Sequence, residues 1–117
     1  MLIGRVSKLT GASRKAIRHY ESIGLIDPPA RKGNYRVYSD HDVIVIHMIC
    51  RAKNLGFSLS EIKELVSKKT KDKKLPIDLA YQLIDQKISN LKQETERIQH
   101  IIGSLQEFKM DLGEKFT

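Results

Sequence analysis

From Ile77 onward an apolar stripe advances in steps of four, three, four and three residues: Ile77, Tyr81, Ile84, Ile88, Leu91, Thr95, Ile98, Ile102, Leu105, Lys109 and Leu112. Only Thr95 and Lys109 interrupt it. Steps averaging about 3.5 residues hold a stripe on one side of a supercoiling helix, the pattern of a coiled-coil seam. Pro76 stands near the helix start, where proline is tolerated, and Asp78 complements the positive end of the helix. A helix of about 35 residues is about 50 Å long. The short segments before it cannot cover that length. The seam therefore predicts a homodimer, with Ile84, Ile88, Leu91, Ile98, Ile102 and Leu105 in contact with a second copy. The alternative is a helix folded back on its own domain.

The charge divides at nearly the same place. The chain has 117 residues, 21 Lys and Arg against 14 Asp and Glu, and a net charge of +7. Residues 1–70 hold 13 of the cations and 6 of the anions, and residues 71–117 hold 8 of each. The first part reads as a basic module, residues 1–70, and the second as a linker plus dimerisation helix, residues 71–117. Excess positive charge confined to one half favours a polyanionic partner, either nucleic acid or an anionic membrane surface. No stretch approaches the roughly 20 apolar residues of a membrane span. Met1 leads into a charged amphipathic segment rather than a secretory signal. The single cysteine, Cys50, has no internal partner for a disulfide, which fits a reduced, cytoplasmic setting.

Within the basic module, Ile3, Val6 and Leu9 recur at helical spacing up to Gly11. Ser13 is an N-cap for a second helix from about Arg14 to Ile23, and Gly24 is a left-handed stop. Two short helices joined by a Gly-containing turn form a helix-turn-helix, whose second helix enters a major groove. That second helix carries Ala16, Ile17 and Ile23 as its apolar stripe. Arg14, Lys15, Arg18 and His19 crowd the remaining face, more cations than solubility requires.

Pro28 and Pro29 then exclude helix. Leu25-Ile26 and Tyr35 to Tyr38 alternate as short strands, and Gly33 and Asn34 between them suit a turn. The product is a small β-hairpin with Arg31, Lys32 and Arg36 near its tip, a wing able to grip phosphates without reading bases. Ser39 with Asp42, and Ser58 with Glu61, form capping boxes that open two more helices. The first carries Val43, Ile46, Ile49 and Cys50 and closes at Leu55-Gly56. The second places Leu59, Ile62, Leu65 and Val66 inward. Residues 67–74, SKKTKDKK, are a basic loop or frayed helix end. The fold class is mainly α: a winged helix-turn-helix with a long C-terminal coiled-coil helix.

No nucleophile elbow, phosphate loop or spaced carboxylate pair is present, so no catalytic residues are assigned and no enzyme is expected. His47 and Cys50 are three residues apart, but two ligands do not make a metal site, and no metal or cofactor is expected. A lone Cys on an apolar helical face is ordinarily a small buried hydrophobe.

The strings LTGASRKAIRHYESIGLIDPPAR, GNYRVY and LGFSLSEIKEL resemble those of the MerR (mercury-resistance regulator) family of bacterial transcription regulators. The resemblance covers roughly the first 66 residues by motif and the tail by pattern. It implies a winged helix-turn-helix dimer joined by antiparallel long helices, acting on promoters with overlong spacers by bending and untwisting them. RNA polymerase would then be affected only indirectly. It further implies DNA contacts from Lys15, Arg18 and Tyr20 on the recognition helix and from Tyr35 and Arg36 on the wing. His19 stands where the family commonly has an aromatic. Metal-sensing members carry two cysteines beyond the long helix, where this chain reads MDLGEKFT, so metal sensing is not expected. A thiol-sensing branch has its cysteine about one position later, where Arg51 stands. The alternative function is an architectural DNA-bending factor without direct transcriptional control.

Overall fold

The computed structural model describes residues 1–69 and 74–117. These form two compact units, Met1–Pro76 and Ile77–Thr117.

In the first unit, α1 (Ile3–Thr10) ends at Gly11, whose φ of +81° is costly for any residue with a Cβ. The turn to α2 (Arg14–Ser22) is held by side chains. Thr10 Oγ1, itself buried, donates to the Val6 carbonyl at 2.8 Å and accepts from the Ala12 amide at 3.2 Å. Ser7 Oγ donates to the Ala12 carbonyl at 2.6 Å. Ser13 caps α2 by accepting from the Ala16 amide at 3.0 Å. At the far end of α2, Gly24 takes φ +79°, and the Leu25 amide reaches back to the Tyr20 carbonyl.

The hairpin differs from the sequence expectation. Its strands are β1 (Ala30–Lys32) and β2 (Tyr35–Val37), paired antiparallel with Arg31 opposite Arg36 and Lys32 opposite Tyr35. Leu25 and Ile26 are not a strand: both are buried in the core. The two-residue loop Gly33-Asn34 fixes the register, and Gly33 supplies the positive φ that such loops need at their first position. Beyond the hairpin, Tyr38 exchanges backbone hydrogen bonds with Met1 (2.7 and 2.8 Å), which ties the start of α1 to the end of β2.

Two helices complete the unit, α3 (Asp40–Asn54) and α4 (Leu59–Ser67), and each opens with the full capping box expected of it. The core joins Val6, Ile17, Tyr20, Leu25, Ile26, Tyr38, Ile46, Ile49 and Ile62, with Leu59 and Val66 packed against it. The expected basic loop begins at Lys68, the C-cap of α4, and its residues 70–73 lie outside those described.

The second unit is one helix, α5 (Ile77–Phe116), of 40 residues, about 60 Å long at 1.5 Å per residue. None of its residues is buried. Among the described residues, no helix is long and apolar enough to cross a membrane.

Candidate nucleic-acid interface

The helical period sorts α2 into two faces. Ile17 and Tyr20 point into the core, while Arg14, Lys15, Arg18, His19 and Ser22 are exposed. Lys15, Arg18, His19 and Ser22 recur at three- and four-residue spacing and so share one side. The polar surplus visible in the sequence is thus a continuous outward face.

Tyr20 corrects the expectation. It is 2% exposed, three residues from Ile17, and its ring belongs to the core rather than to the outward face. The Lys53 ammonium lies 5.9 Å from the ring centroid. Burial pushes the Tyr20 hydroxyl pKa up, and the neighbouring Cys50 adds to the effect. Cys50 is half-buried and forms no disulfide.

On the wing, Arg31 and Lys32 are exposed, and Tyr35 presents a largely free ring, 69% exposed. Arg36 behaves differently. Its Nε lies 3.0 Å from Glu21 Oε2 at the end of α2, with side-chain exposures of 34% and 16%. The pair is close but misaligned, since neither atom achieves hydrogen-bond geometry.

Between α1, α2 and the wing lies a cleft of about 370 Å³, lined by Leu2, Ile3, Gly4, Arg5, Arg14, Arg18, Asn34, Tyr35 and Arg36. Four arginines from three elements therefore line one concavity. Arg14 reaches it by lying across the first turn of α1: a Cβ on Gly4 would stand 2.7 Å from Arg14 Nη2. No side chain caps the N-terminus of α1, so its first amides add partial positive charge at the cleft wall. Planar guanidinium forks and free amides are the donors that recognise a phosphate diester.

Arg5 is the residue that sequence reasoning missed. It sits on the helix that was not expected to carry contacts, and only the approach of the wing to α1 brings it into the cleft. Lys15 and His19 do not line the cleft and stand on the open face of α2. On α5, all six expected contact residues, Ile84, Ile88, Leu91, Ile98, Ile102 and Leu105, are exposed. Among the described residues, no three His, Cys, Asp or Glu side chains gather as a metal-binding group.

An outward basic face on the second helix of a helix-turn-helix, flanked by a cationic hairpin, defines a winged helix-turn-helix DNA-binding protein. Comparison with known proteins gives the same class. A family model described as MerR HTH family regulatory protein matches residues 1–69, and one described as MerR, DNA binding matches residues 44–108. Heavy metal-dependent transcription regulator 2 of Rhizobium meliloti (strain 1021) is 38% identical over 110 residues, covering 88% of this chain and 75% of its own. The HTH-type transcriptional regulator CueR of Escherichia coli O6:H1 is 33% identical over 106 residues, covering 90% of this chain and 78% of its own. The crystal structure of the N-terminus of MtaN, the Bacillus subtilis multidrug transporter activator, superposes with a TM-score of 0.67 at 27% identity, covering 92% of this chain and 96% of that one. The chain belongs to the MerR family: it is a DNA-binding transcription regulator and not an enzyme.

Proposed function

We propose that the chain works as a homodimer that binds a pseudo-palindromic promoter site and controls transcription by bending and untwisting the spacer, affecting RNA polymerase through the DNA, in the cytoplasm. The observation that carries this reading is the convergence of Arg5, Arg14, Arg18 and Arg36 on one cleft beside the exposed face of α2. Cleft and face together offer phosphate contacts next to groove contacts, the combination that gives register as well as sequence readout. Arg14, Lys15, Arg18 and His19 face the groove, while Arg31, Lys32, Tyr35 and Arg36 hold backbone from the wing. The exposed stripe of α5 is the surface for the second copy. Two copies place two recognition helices on half-sites about one helical turn apart or somewhat more.

If a dimer neutralises about 6–10 phosphates, affinity falls about a thousandfold or more between about 50 and 200 mM salt. The decisive experiment is in vitro transcription from the promoter beside the gene, with the natural and a lengthened spacer, alongside gel-shift affinity at several salt concentrations. Binding with a steep salt slope and a spacer-dependent change in transcript supports the proposal. Binding and DNA bending with no transcriptional effect would establish the architectural alternative instead. An affinity independent of salt would refute both.

A further inference from the structure

Among the described residues of the DNA-binding unit, three buried polar atoms lack hydrogen-bond partners: Glu21 Oε2, Arg36 Nε and the Tyr38 hydroxyl. They form one neighbourhood. Glu21 and Arg36 are 3.0 Å apart, and the Tyr38 hydroxyl feels both of them, together with Arg18 and Asp42. Buried polar groups are almost always paired, so three orphans in a single cluster need a reason. A static ion pair would be expected to align, because a charge-assisted bond gains most from a straight N–H···O path. The hairpin register adds to the tension. It sets Arg31 directly across from Arg36, and like charges facing each other across a strand pair are unfavourable. Glu21 offsets that repulsion with a carboxylate on a different element.

Arg36 also lines the cleft, so the same side chain borders both the Glu21 carboxylate and the proposed phosphate seat. We propose that Glu21 is an internal competitor for Arg36, a positioning residue that holds the wing arginine until a DNA phosphate displaces it. The Tyr38 hydroxyl then takes over the released carboxylate. This rests on the reading of the cleft as a phosphate seat. In the free protein Arg36 is held by a misaligned contact that costs little to break. In the complex Arg36 donates to the phosphate, and Tyr38 Oη, a donor left unused in the free protein, donates to Glu21. The exchange replaces one poor contact with two aligned ones, so the wing grips only where a phosphate arrives in the right place. Burial and the Glu21 carboxylate both push the Tyr38 pKa up, as expected of a hydroxyl kept as a proton donor beside an anion.

The test is a double-mutant cycle on binding to a fluorescein-labelled random-sequence duplex of about 30 base pairs, since phosphate contacts do not depend on sequence. The variants are Glu21→Gln, Arg36→Gln and both together, with thermal melts to confirm folding. Glu21→Gln is expected to tighten binding about fivefold per protomer in the parent chain, the size of one partly exposed ion pair, and by less than about twofold beside Arg36→Gln. Equal tightening in both backgrounds would mean that only net charge matters, and weakening would mean that Glu21 aims Arg36 rather than withholding it. Either result overturns the proposal. If Arg36→Gln changes neither affinity nor salt slope, the cleft reading itself fails, a separate outcome. Tyr38→Phe supplies an independent readout: an unchanged melting temperature with about threefold weaker DNA binding is expected, and unchanged binding would refute the hand-over. Should Glu21→Gln not fold, Glu21→Asp, whose shorter side chain withdraws the carboxylate, is expected to tighten binding in the same Arg36-dependent way.

Discussion

Ile98→Asp tests what covers α5. In the single chain Ile98 is 45% exposed, near the middle of a helix with no buried residues. Complete burial of an isoleucine side chain is worth about 1.5–3 kcal/mol, so closing the exposed part against a second copy contributes about 1 kcal/mol per protomer. The proposed dimer contains two such sites, so the substitution forfeits about 2 kcal/mol. It also leaves two carboxylates facing an apolar seam, at a cost of about 2 kcal/mol each after relaxation and water entry. The total, about 6 kcal/mol, weakens the dimer dissociation constant by about four powers of ten. Helix propensity falls by only a few tenths of a kcal/mol, so the monomer should keep most of its far-ultraviolet helical signal. Ile98→Ala forfeits burial alone and should cost about thirtyfold. Sedimentation at several concentrations reads both effects. If Ile98→Asp remains as tight a dimer as the parent, the seam is not the contact and the stripe is covered by something else.

Gly4→Ala places a methyl group against the Arg14 guanidinium, the movable end of a flexible side chain, so the fold should tolerate it. Alanine favours helix by up to about 1 kcal/mol, and the expected result is an equal or higher melting temperature with about threefold weaker DNA binding. Ser39→Ala removes one half of the α3 capping box and should cost about 0.5–2 kcal/mol in urea unfolding, with DNA affinity per folded molecule unchanged. Tyr20 and Tyr38 both have pKa values raised above the ordinary tyrosine value of about 10, chiefly by burial. In alkali the unfolded chain loses these protons first, so the native state binds more protons and stability declines as pH rises above about 10. Tyr38→Phe should flatten that decline in pH-dependent melts.

The features legible in the sequence were those decided within a few residues. Ser13, Ser39 and Ser58 announce helix starts because a hydroxyl must meet an amide two or three positions on. Gly11, Gly24 and Gly56 mark helix ends because those positions require a left-handed backbone. Leu25-Ile26 is ambiguous in sequence because consecutive apolar residues suit a buried strand and a buried connection equally well. Ala30 to Lys32 has little intrinsic strand preference and pairs because the Gly33-Asn34 loop turns it onto Tyr35. The DNA contact that the resemblance implies for Tyr20 takes no account of helical phase, which relative to Ile17 turns the ring inward. Arg5 and Glu21 carried no local signal. Their places in the cleft and beside Arg36 come from the wing meeting α1 and α2, a juxtaposition that no spacing along the chain encodes.

In the proposed dimer the two units depend on each other for function, although charge and apolar surface are divided between them. A single cleft with four arginines gains only the electrostatic affinity of a few phosphate contacts, enough for weak binding anywhere on a duplex. If two clefts are joined through α5 as proposed, the second contact becomes intramolecular, and avidity can then exceed either single affinity by about 10²–10⁴ without any new contact. Ile98→Asp should therefore lose that factor while each cleft stays intact. Its residual binding should show about half the parent salt slope, because half the phosphates are contacted. Arg18→Ala should do the reverse, leaving a tight dimer by sedimentation while lowering both affinity and slope. If Ile98→Asp kept the parent slope, the monomer would be making every phosphate contact alone, and the dimer would have no part in recognition.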